Sequence, residues 1–238
     1  MALRRVFVER VEDGAAVAKG SAAHHLARVA RLRPGERVEV SDQARAYRAV
    51  TERCTPREVR FRIEEPLPPP APAPELDVGL SIIRFRRFEW AVEKLTELGV
   101  NSVTPVAADR SDAALRAASI KRVARWRRIA LEAAQQSRRL AAPLVRTPVG
   151  LDEFTGRCTA PLRLLAQPGA PRFAAAGMDG GTAFLVGPEG GWTRTERQVA
   201  AEHGFEPVAL GANVLRSETA ALALATICCH RSGRADPQ

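Results

Sequence analysis

The sequence predicts an α/β protein of two domains: a small, strand-rich N-terminal barrel and a larger C-terminal domain built on an open sheet. Its 238 residues are enough for one large or two small domains. Six of the nine residues from Pro66 to Pro74 are proline, which neither a helix interior nor a central strand accepts. We therefore expect a division into residues 1–70 and 71–238.

Short strand patterns dominate the predicted N-terminal domain. Arg5–Glu9 and Glu36–Ser41 read as strands, and apolar and charged residues alternate from 59 to 63, as in a half-buried strand. One helix is predicted between them, with Ser21 as its N-cap and its end before Pro34. Several short strands in so small a domain indicate a small barrel.

Strands and helices alternate after the prolines, which is typical of an open α/β sheet. A helix whose apolar face includes Phe88 and Leu98 is expected to end at Gly99, and Thr193 opens a capping box that begins another helix. The remaining predicted elements are strands at Leu76–Ile83, Asn101–Val106, Leu162–Gln167, Ala183–Val186 and Pro207–Leu210, and helices at Ser119–Arg139 and Ser217–His230.

The composition excludes a membrane-spanning protein. Hydrophobic residues make up 45% and charged residues 26% of the chain, and no uncharged apolar run is long enough to cross a bilayer. The apolar run in the first nine residues is too short for a signal peptide, and Glu9 follows it directly. We expect a cytoplasmic protein.

The charge balance favours a polyanionic partner. The formal net charge is +9, and only three of the 36 basic residues are lysines, which leaves 33 arginines. Guanidinium groups bind phosphates through two hydrogen bonds and stack on bases. A genome rich in G and C is an equally good explanation for arginine replacing lysine, although it does not explain the net excess. The four cysteines form no C-x-x-C pair and no zinc spacing appears, so we expect buried thiols and no metal.

A strand runs directly into a glycine-rich loop at Phe184–Trp192, with the sequence F-L-V-G-P-E-G-G-W. The glycines allow close approach of backbone to a ligand, and Glu189 would lie at the carboxyl end of a strand, where open α/β sheets bind ligands. Neither a P-loop nor a dinucleotide G-x-G motif is present. From these residues alone, a tight turn without a ligand is about as probable.

A second stretch, Leu210–Ala221, leads from a strand through a loop to a helix start. Free backbone N–H groups near Ser217 are available to a ligand, with Val214 and Leu215 as an apolar wall. Arg216 is the one strong positive charge there. Since a cation is misplaced at a helix N-terminus unless an anion compensates, we favour a functional role over a plain surface arginine.

A polar stripe is predicted on one face of the long helix, at Arg125, Arg128, Glu132, Gln136 and Arg139. A solvent-exposed face with an Arg128–Glu132 ion pair is the simpler interpretation of this stripe. If the protein binds a polyanion, the same arginines become candidates for that contact.

Two further basic stretches also allow either RNA contact or a solvent-exposed helix surface. Arg84–Trp90 combines three guanidiniums with three aromatic rings, and His24, His25, Arg28 and Arg31 lie on the N-terminal helix. Both sets suit RNA contact, through stacking and phosphate binding, and both suit an exposed helix surface.

Together these motifs resemble one family, the RsmE-type methyltransferases of 16S ribosomal RNA in the SPOUT superfamily. The combination of G-P-E-G-G with L-R-S-E-T-A is far more specific than either half. The matching stretches span nearly the whole chain in the family's order: His25–Gly35, Glu93–Val100, Arg125–Arg138, Leu185–Trp192 and Leu210–Ala220.

The resemblance implies a PUA-like β-barrel domain followed by a SPOUT-type α/β domain with a C-terminal trefoil knot. It implies S-adenosylmethionine as methyl donor, N3 of a uridine in the decoding region of the small ribosomal subunit as acceptor, and a homodimer. We expect the apolar helix around Leu222, Leu224 and Ile227 to form the dimer face. RNA contacts are expected from eight basic residues: Arg4, His25, Arg28, Arg31, Arg84, Arg87, Arg125 and Arg139.

The resemblance also assigns the cofactor site residue by residue. The cofactor-binding residues are expected to be Ala166, Gln167, Leu185, Gly187, Pro188, Gly190, Gly191, Leu210, Gly211, Asn213, Leu215 and Ser217. For catalysis, we expect Arg216 to stabilise negative charge on the uracil oxygens and Glu189 to accept the N3 proton, or Glu132 to order the site. Asn213 stands where relatives often carry arginine, and Arg86 where an acidic residue is common.

Two other classes of function remain as alternatives. A non-catalytic RNA-binding protein on the same scaffold would not need both glycine-rich loops. A nucleotide-binding enzyme unrelated to RNA would be expected to carry a G-x-G or P-loop motif, and this chain has neither.

Overall fold

Two six-stranded sheets organise the residues that the structure describes. The structure is a computed structural model that describes residues 3–70, 75–173 and 180–231. Part of the predicted proline-rich boundary, at 71–74, lies outside the described residues.

Each sheet belongs to one of two units. The first unit comprises Met1–Ala71 and Ala134–Ala142, and the second comprises Pro72–Ala133 and Pro143–Gln238. The segment Ala134–Ala142 thus groups with the N-terminal unit, although it lies far beyond the prolines in the sequence. Side chains of the first sheet hold this segment in the unit.

The first unit is rich in strands, as the sequence predicts. Strand β1 pairs with β4 in parallel and all other pairs are antiparallel, in the order β1-β4-β5-β6-β3-β2. In chain order the elements are β1 (Arg5–Phe7), β2 (Val11–Glu12), β3 (Ala15–Lys19), α1 (Gly20–His24), β4 (Arg37–Ser41), β5 (Ala46–Cys54) and β6 (Glu58–Pro66). The predicted alternation in β6 is confirmed, since Val59 and Phe61 are fully buried between charged neighbours.

The start of the first helix differs from the prediction. Helix α1 begins at Gly20, with Lys19 as its N-cap and no side-chain cap, so Ser21 lies inside the first turn. Strand β3 runs straight into the helix because Gly20 adopts a φ of 58°, a left-handed turn that favours glycine. The helix then continues as a π-helical turn, His25–Val29.

A buried carboxylate holds the segment Ala134–Ala142 in the first unit. Glu39, on β4, is only 5% exposed. Its Oε2 accepts from Arg5 Nη2 at 2.8 Å, and its Oε1 pairs with the guanidinium of Arg138. Nearby, Ser41 Oγ donates to the carbonyl oxygen of Leu140 at 2.7 Å. One buried acid thus compensates two guanidiniums, as a buried charge requires.

Replacing Glu39 by alanine should therefore destabilise the first unit by about 3 kcal/mol, because two guanidiniums lose their common partner. The measurement is hydrogen exchange of the β5 amides, which reports unfolding of this unit alone. As a control, Glu12→Ala removes an exposed pair with Arg10 and should change stability by less than about 0.5 kcal/mol. Equal protection in the two variants would show that the Glu39 network does not hold the unit together.

The second unit is built on a fully parallel sheet in the order β12-β10-β11-β7-β8-β9. Its strands are β7 (Leu76–Ser81), β8 (Ser102–Val106), β9 (Leu144–Val145), β10 (Leu162–Ala166), β11 (Thr182–Val186) and β12 (Glu206–Val208). Its helices are α2 (Phe85–Leu98), α3 (Ala113–Ser119), α4 (Val123–Gln136), α5 (Leu151–Arg157), α6 (Arg194–Glu202) and α7 (Ser217–Arg231). The predicted α/β class is confirmed, whereas the trefoil knot stays a prediction.

Helices cover both faces of this sheet, as all-parallel sheets require. Helices α2, α4 and α7 bury one face, in a cluster that includes Phe184. Helices α5 and α6 bury the other face, in a cluster that includes Leu185. Consecutive residues of β11 therefore point to opposite cores. Gly79 permits the close packing on the second face, since a Cβ there would lie 2.6 Å from Leu185 Cδ2.

The helix boundaries partly follow the sequence signals. Gly99 ends α2 in the left-handed region, and Thr193 and Glu196 form the predicted capping box. The long helix α4 ends at Gln136 rather than Arg139, because Arg138 takes a left-handed φ of 56°. Residue 139 therefore lies beyond the helical stripe on which it was placed. Strand β9 and helices α3 and α5 were not predicted.

Helix α7 does not offer the predicted dimer face in full. Leu224 is fully buried in the core of its own unit, whereas Leu222 and Ile227 are partly buried. A homodimer remains a prediction, and Leu224 is removed from its candidate surface. Within the described residues, every helix is too short or too polar to cross a lipid bilayer.

All four cysteines lie in described positions and are thiols, but the predicted burial is correct only for Cys228, since Cys54, Cys158 and Cys229 are partly buried. Burial raises the pKa of the Cys228 thiol from 9.0 to about 12. Since only the thiolate is nucleophilic, a raised pKa keeps this residue unreactive until the pH approaches that value.

Iodoacetamide should therefore label Cys228 very slowly in the folded protein at pH 8 and at pH 10. Labelling should become rapid once guanidinium chloride exposes the thiol and returns its pKa toward the ordinary value. Peptide mass spectrometry of labelled samples measures both rates. Rapid labelling of the native protein at pH 8 would contradict the burial of this residue.

Candidate functional site

A cavity of about 430 Å³ opens at the carboxyl ends of β10, β11 and β12. Because parallel strands all end at the same sheet edge, the loops that follow them meet there. The cavity is lined by Arg110, Ala166, Gln167, Pro168, Val186, Gly187, Pro188, Glu189, Gly191, Trp192, Arg197, Val208, Ala209, Leu210, Gly211, Asn213, Val214, Leu215, Arg216, Ser217 and Ala220.

The loop after β11 forms the first wall of the cavity, and two of its glycines lie where a Cβ would crowd a neighbouring side chain. A Cβ at Gly187 would lie 3.1 Å from Cε2 and Nε1 of Trp192, so the indole packs directly against this backbone. At Gly190 a Cβ would lie 3.1 Å from Arg110 Cβ. Gly191 adopts a φ of 68°, the conformation that favours glycine. The glycine-rich loop is thus shaped by side chains packed behind it.

The loop after β8 braces this first wall. Arg110 Nη1 donates to the Gly190 carbonyl oxygen at 2.8 Å. The backbone N–H of Asp109 donates to Glu196 Oε1 at 2.8 Å, and Thr193 Oγ1 donates to Asp109 Oδ2 at 3.2 Å. The capping box of α6 therefore serves two purposes, since Glu196 caps its own helix and anchors the neighbouring loop.

The loop between β12 and α7 forms the second wall. Ser217 Oγ donates to the Gly187 carbonyl oxygen at 2.6 Å, which joins the two walls directly. Val214 is 80% exposed and Leu215 is 37% exposed, so this wall presents an apolar surface to the opening. The third wall is the end of β10, where the Gln167 N–H donates to the Val208 carbonyl oxygen.

The charge at the cavity is predominantly positive. Arg110 donates to Gly190, and Arg197 Nη1 donates to the Trp192 carbonyl oxygen at 3.0 Å. Arg216 is exposed, and its guanidinium makes no hydrogen bond or ion pair to any residue that the structure describes. Glu189 is the one carboxylate among the lining residues. The cavity therefore keeps one uncommitted guanidinium beside one carboxylate.

The structure brings most of the predicted cofactor residues together. Ten of the twelve line the cavity: Ala166, Gln167, Gly187, Pro188, Gly191, Leu210, Gly211, Asn213, Leu215 and Ser217. Leu185 does not, because its side chain is fully buried in the core. Gly190 does not either, because it packs against Arg110.

Of the three predicted catalytic residues, Arg216 and Glu189 line the cavity and Glu132 does not. Glu132 lies on the exposed face of α4, 3.7 Å from Arg128 in an i,i+4 pair, with a side chain that is 60% exposed. This is the solvated-face arrangement that the stripe also allowed.

The predicted RNA-contact residues of the first unit lie on its surface. Arg4, His25, Arg28 and Arg31 are all exposed. Arg4 Nη1 donates to the carbonyl oxygen of Ala30 at 3.0 Å, at the end of the helical turn that carries His25 and Arg28. Arg31, which was predicted on this helix, lies beyond its end with a left-handed φ of 52°. Arg139, in the segment attached to this unit, is partly buried.

The predicted RNA-contact residues of the second unit differ in how they are engaged. Arg84 is exposed and has no partner within the described part of the chain. Arg125 is held by Glu89 through two hydrogen bonds of 2.7 and 2.9 Å. Arg87 is partly buried, and its Nη1 donates to Glu189 Oε1 at 2.9 Å. Two of these three guanidiniums are thus committed within the protein.

Sequence reasoning missed Arg110, Trp192 and Arg197 as lining residues. A signal for Arg110 was present, since it follows the carboxyl end of the predicted strand at 101–106 and so lies at the edge where ligands bind. Trp192 belongs to the core, since it is only 4% exposed, and it also lines the cavity. No cluster of metal-ligating side chains is found among the described residues.

Comparison with known proteins identifies the family. A family model described as an RNA methyltransferase domain matches residues 69–228, and a model for an RNA methyltransferase PUA domain matches residues 18–64. The ribosomal RNA small subunit methyltransferase E of Mycobacterium bovis is 31% identical over 227 residues, which is 90% of this chain and 87% of that protein. The chain belongs to the RsmE-type RNA methyltransferase family.

Other relatives and solved structures extend the similarity over nearly the whole chain. The Synechocystis enzyme of the same name is 29% identical over 95% of this chain and 77% of its own. A Legionella pneumophila methyltransferase, solved with the cofactor SAM, superimposes with a TM-score of 0.85 at 27% identity, over 97% of this chain and 98% of that one. The Neisseria gonorrhoeae enzyme, bound to S-adenosyl methionine, gives a TM-score of 0.83 at 27% identity, over 94% and 96%.

The packing behind Gly187 gives a test of the cavity's construction. Gly187→Ala should destabilise the second unit by about 1–2 kcal/mol, because its Cβ overpacks Trp192. Urea unfolding followed by tryptophan fluorescence measures this change. The matched control is Gly156→Ala, whose Cβ would approach nothing closer than His203 Nε2 at 3.9 Å and lies in helix α5, so it should not destabilise. Equal stability of both variants would contradict the close packing at Gly187.

Proposed function

We propose that the chain transfers a methyl group from S-adenosylmethionine to N3 of a uridine in the decoding region of 16S ribosomal RNA. The observation that carries this proposal is a single cavity whose two main walls, G-P-E-G-G and the loop before α7, are joined by the Ser217–Gly187 hydrogen bond. Membership of the RsmE-type family supports the substrate class. Because the proposed partner is the small ribosomal subunit, we also propose that the protein acts in the cytoplasm.

The residues present suit this cofactor. The cavity volume, about 430 Å³, is in the usual range for small-molecule sites. Trp192 lines the cavity with its indole packed against the Gly187 backbone, so it adds an apolar surface to the first wall. Val208 and Leu210 offer an apolar wall for a flat ring, and Gly187 leaves its backbone open to a ligand.

S-adenosylmethionine supplies, when bound, a methyl group on a positively charged sulfur that a nucleophile attacks in line. The chain's residues must then orient the uridine, take up its N3 proton and stabilise charge on the uracil oxygens. Arg216 is suited to the last task because it is exposed and uncommitted. Glu189 is suited to the proton, because it is the one carboxylate that lines the cavity.

The exposed basic residues of the first unit are proposed to hold the RNA. Arg4, Arg28 and Arg31 present exposed guanidiniums to phosphates, and the exposed His25 lies beside them as a further hydrogen-bonding group. Arg84, Arg125 and Arg139 are also proposed as RNA contacts, and Arg125 would have to exchange its pair with Glu89 for a phosphate. We also propose a homodimer, with a contact surface that excludes the buried Leu224.

The first test combines cofactor binding with product analysis. Calorimetry should show one S-adenosylmethionine per chain, and small subunits lacking the modification should gain labelled methyl groups that nucleoside analysis identifies as 3-methyluridine. RNA binding without methyl transfer would favour the non-catalytic alternative. A different methylated nucleoside would overturn the assignment of N3.

A second test separates the candidate catalytic residues in single turnovers at saturating cofactor. Glu189→Gln should slow methyl transfer by about 10² to 10⁴, the usual contribution of a general base. Arg216→Gln should slow it by about 10² to 10³ through the loss of charge stabilisation. Glu132→Gln, on an exposed surface, should stay within about twofold of the wild type. A slow Glu132→Gln beside a near-normal Glu189→Gln would reverse the assignment.

A further inference from the structure

Arg87 occupies an electrostatically unfavourable position in its own helix. It lies in the first turn of α2, where the exposed backbone N–H groups already carry partial positive charge. A guanidinium there needs carboxylates supplied from elsewhere. The structure provides two, one from each wall of the cavity.

The first carboxylate is Glu189, in the G-P-E-G-G loop. Arg87 Nη1 donates to its Oε1 at 2.9 Å, between side chains that are 29% and 48% exposed. The second is Glu218, in the first turn of α7, whose Oε1 lies 3.6 Å from Arg87 Nε. Separate nitrogens of one guanidinium thus face separate cavity loops.

The burial of Glu218 makes its ion pair with Arg87 important for stability. Its side chain is only 9% exposed, and its Oε2 is buried without a hydrogen-bond partner. A buried carboxylate with an unsatisfied oxygen depends strongly on its cation, which here is Arg87. The N-terminus of α7 adds a further favourable field for the same carboxylate. Removing Arg87 would therefore leave the Glu218 carboxylate without a compensating cation. This would destabilise the start of α7 and, with it, the second wall of the cavity.

We propose that Arg87 is a positioning residue that ties the two cofactor loops together, rather than an RNA contact as its basic neighbours predict. It acts in parallel with the Ser217–Gly187 hydrogen bond and fixes the direction of the Glu189 carboxylate. The forked guanidinium suits this position because it holds separate nitrogens in a fixed geometry, whereas an ammonium is a point charge on a flexible stem. This inference rests on the proposed function, since it assigns Arg87 to the cofactor site.

The experiment measures S-adenosylmethionine affinity and RNA affinity separately in Arg87→Gln, Arg87→Lys and Arg86→Gln. Arg86 is the matched control because it adjoins Arg87, is exposed and has no partner among the described residues. Arg87→Gln should weaken cofactor binding by about tenfold, the effect of losing a charged hydrogen bond. Its RNA affinity and the salt dependence of RNA binding should match the wild type. Arg87→Lys should weaken cofactor binding by a smaller factor.

A double-variant cycle checks that the effect passes through Glu218. If Arg87 acts by compensating that carboxylate, Arg87→Gln combined with Glu218→Gln should weaken cofactor binding by clearly less than the product of the single effects. Additive effects would overturn the proposal.

Three other outcomes also decide against it. Cofactor affinity in Arg87→Gln equal to that in Arg86→Gln would remove Arg87 from the site. A reduction of about one in the salt slope of RNA binding, with normal cofactor affinity, would show a phosphate contact instead. If Arg87→Gln fails to melt cooperatively, Arg87→Lys decides, and wild-type affinity in that variant overturns the proposal. Failure of the wild type to bind S-adenosylmethionine would instead reject the proposed function itself.

Discussion

The parallel direction of all six strands in the second sheet is the constraint on which the site depends. It places the carboxyl ends of β10, β11 and β12 at one edge, so that three loops distant in sequence enclose one cavity. The Ser217–Gly187 hydrogen bond then joins two of these loops, and the capping residue Glu196 anchors a fourth segment beside them. The cavity is therefore a consequence of topology, refined by a few polar contacts.

Arginine performs two distinct tasks in this chain. Some guanidiniums are committed to carboxylates inside a unit, such as Arg138 to Glu39 and Arg125 to Glu89. Others, such as Arg28 and Arg84, are exposed without a partner in the described residues. Only the second kind is available to a polyanion without breaking an internal pair. The net charge of +9 therefore overstates the number of guanidiniums that are available to a polyanion. It does correctly indicate an excess of arginine over acidic residues.

Much of the fold was predictable because it is encoded locally. The capping box at Thr193, the glycine that ends α2 and the alternation in β6 each depend on neighbours in sequence. The cavity lining was predictable where strand ends carried glycine-rich loops, and the family resemblance sharpened it. Glu218 was missed because its role depends on a contact with Arg87, which is distant in sequence and which no local pattern contains. Arg110 could have been found from its place after a predicted strand, although its bond to Gly190 could not.

The central claim is that the cavity between the two glycine-containing loops holds S-adenosylmethionine. A crystal structure of the protein grown with this compound tests it most directly. The account predicts density for the ligand in the cavity, in contact with the Gly187 backbone and Leu210. Density for the ligand at another position, with these loops unoccupied, would contradict the account.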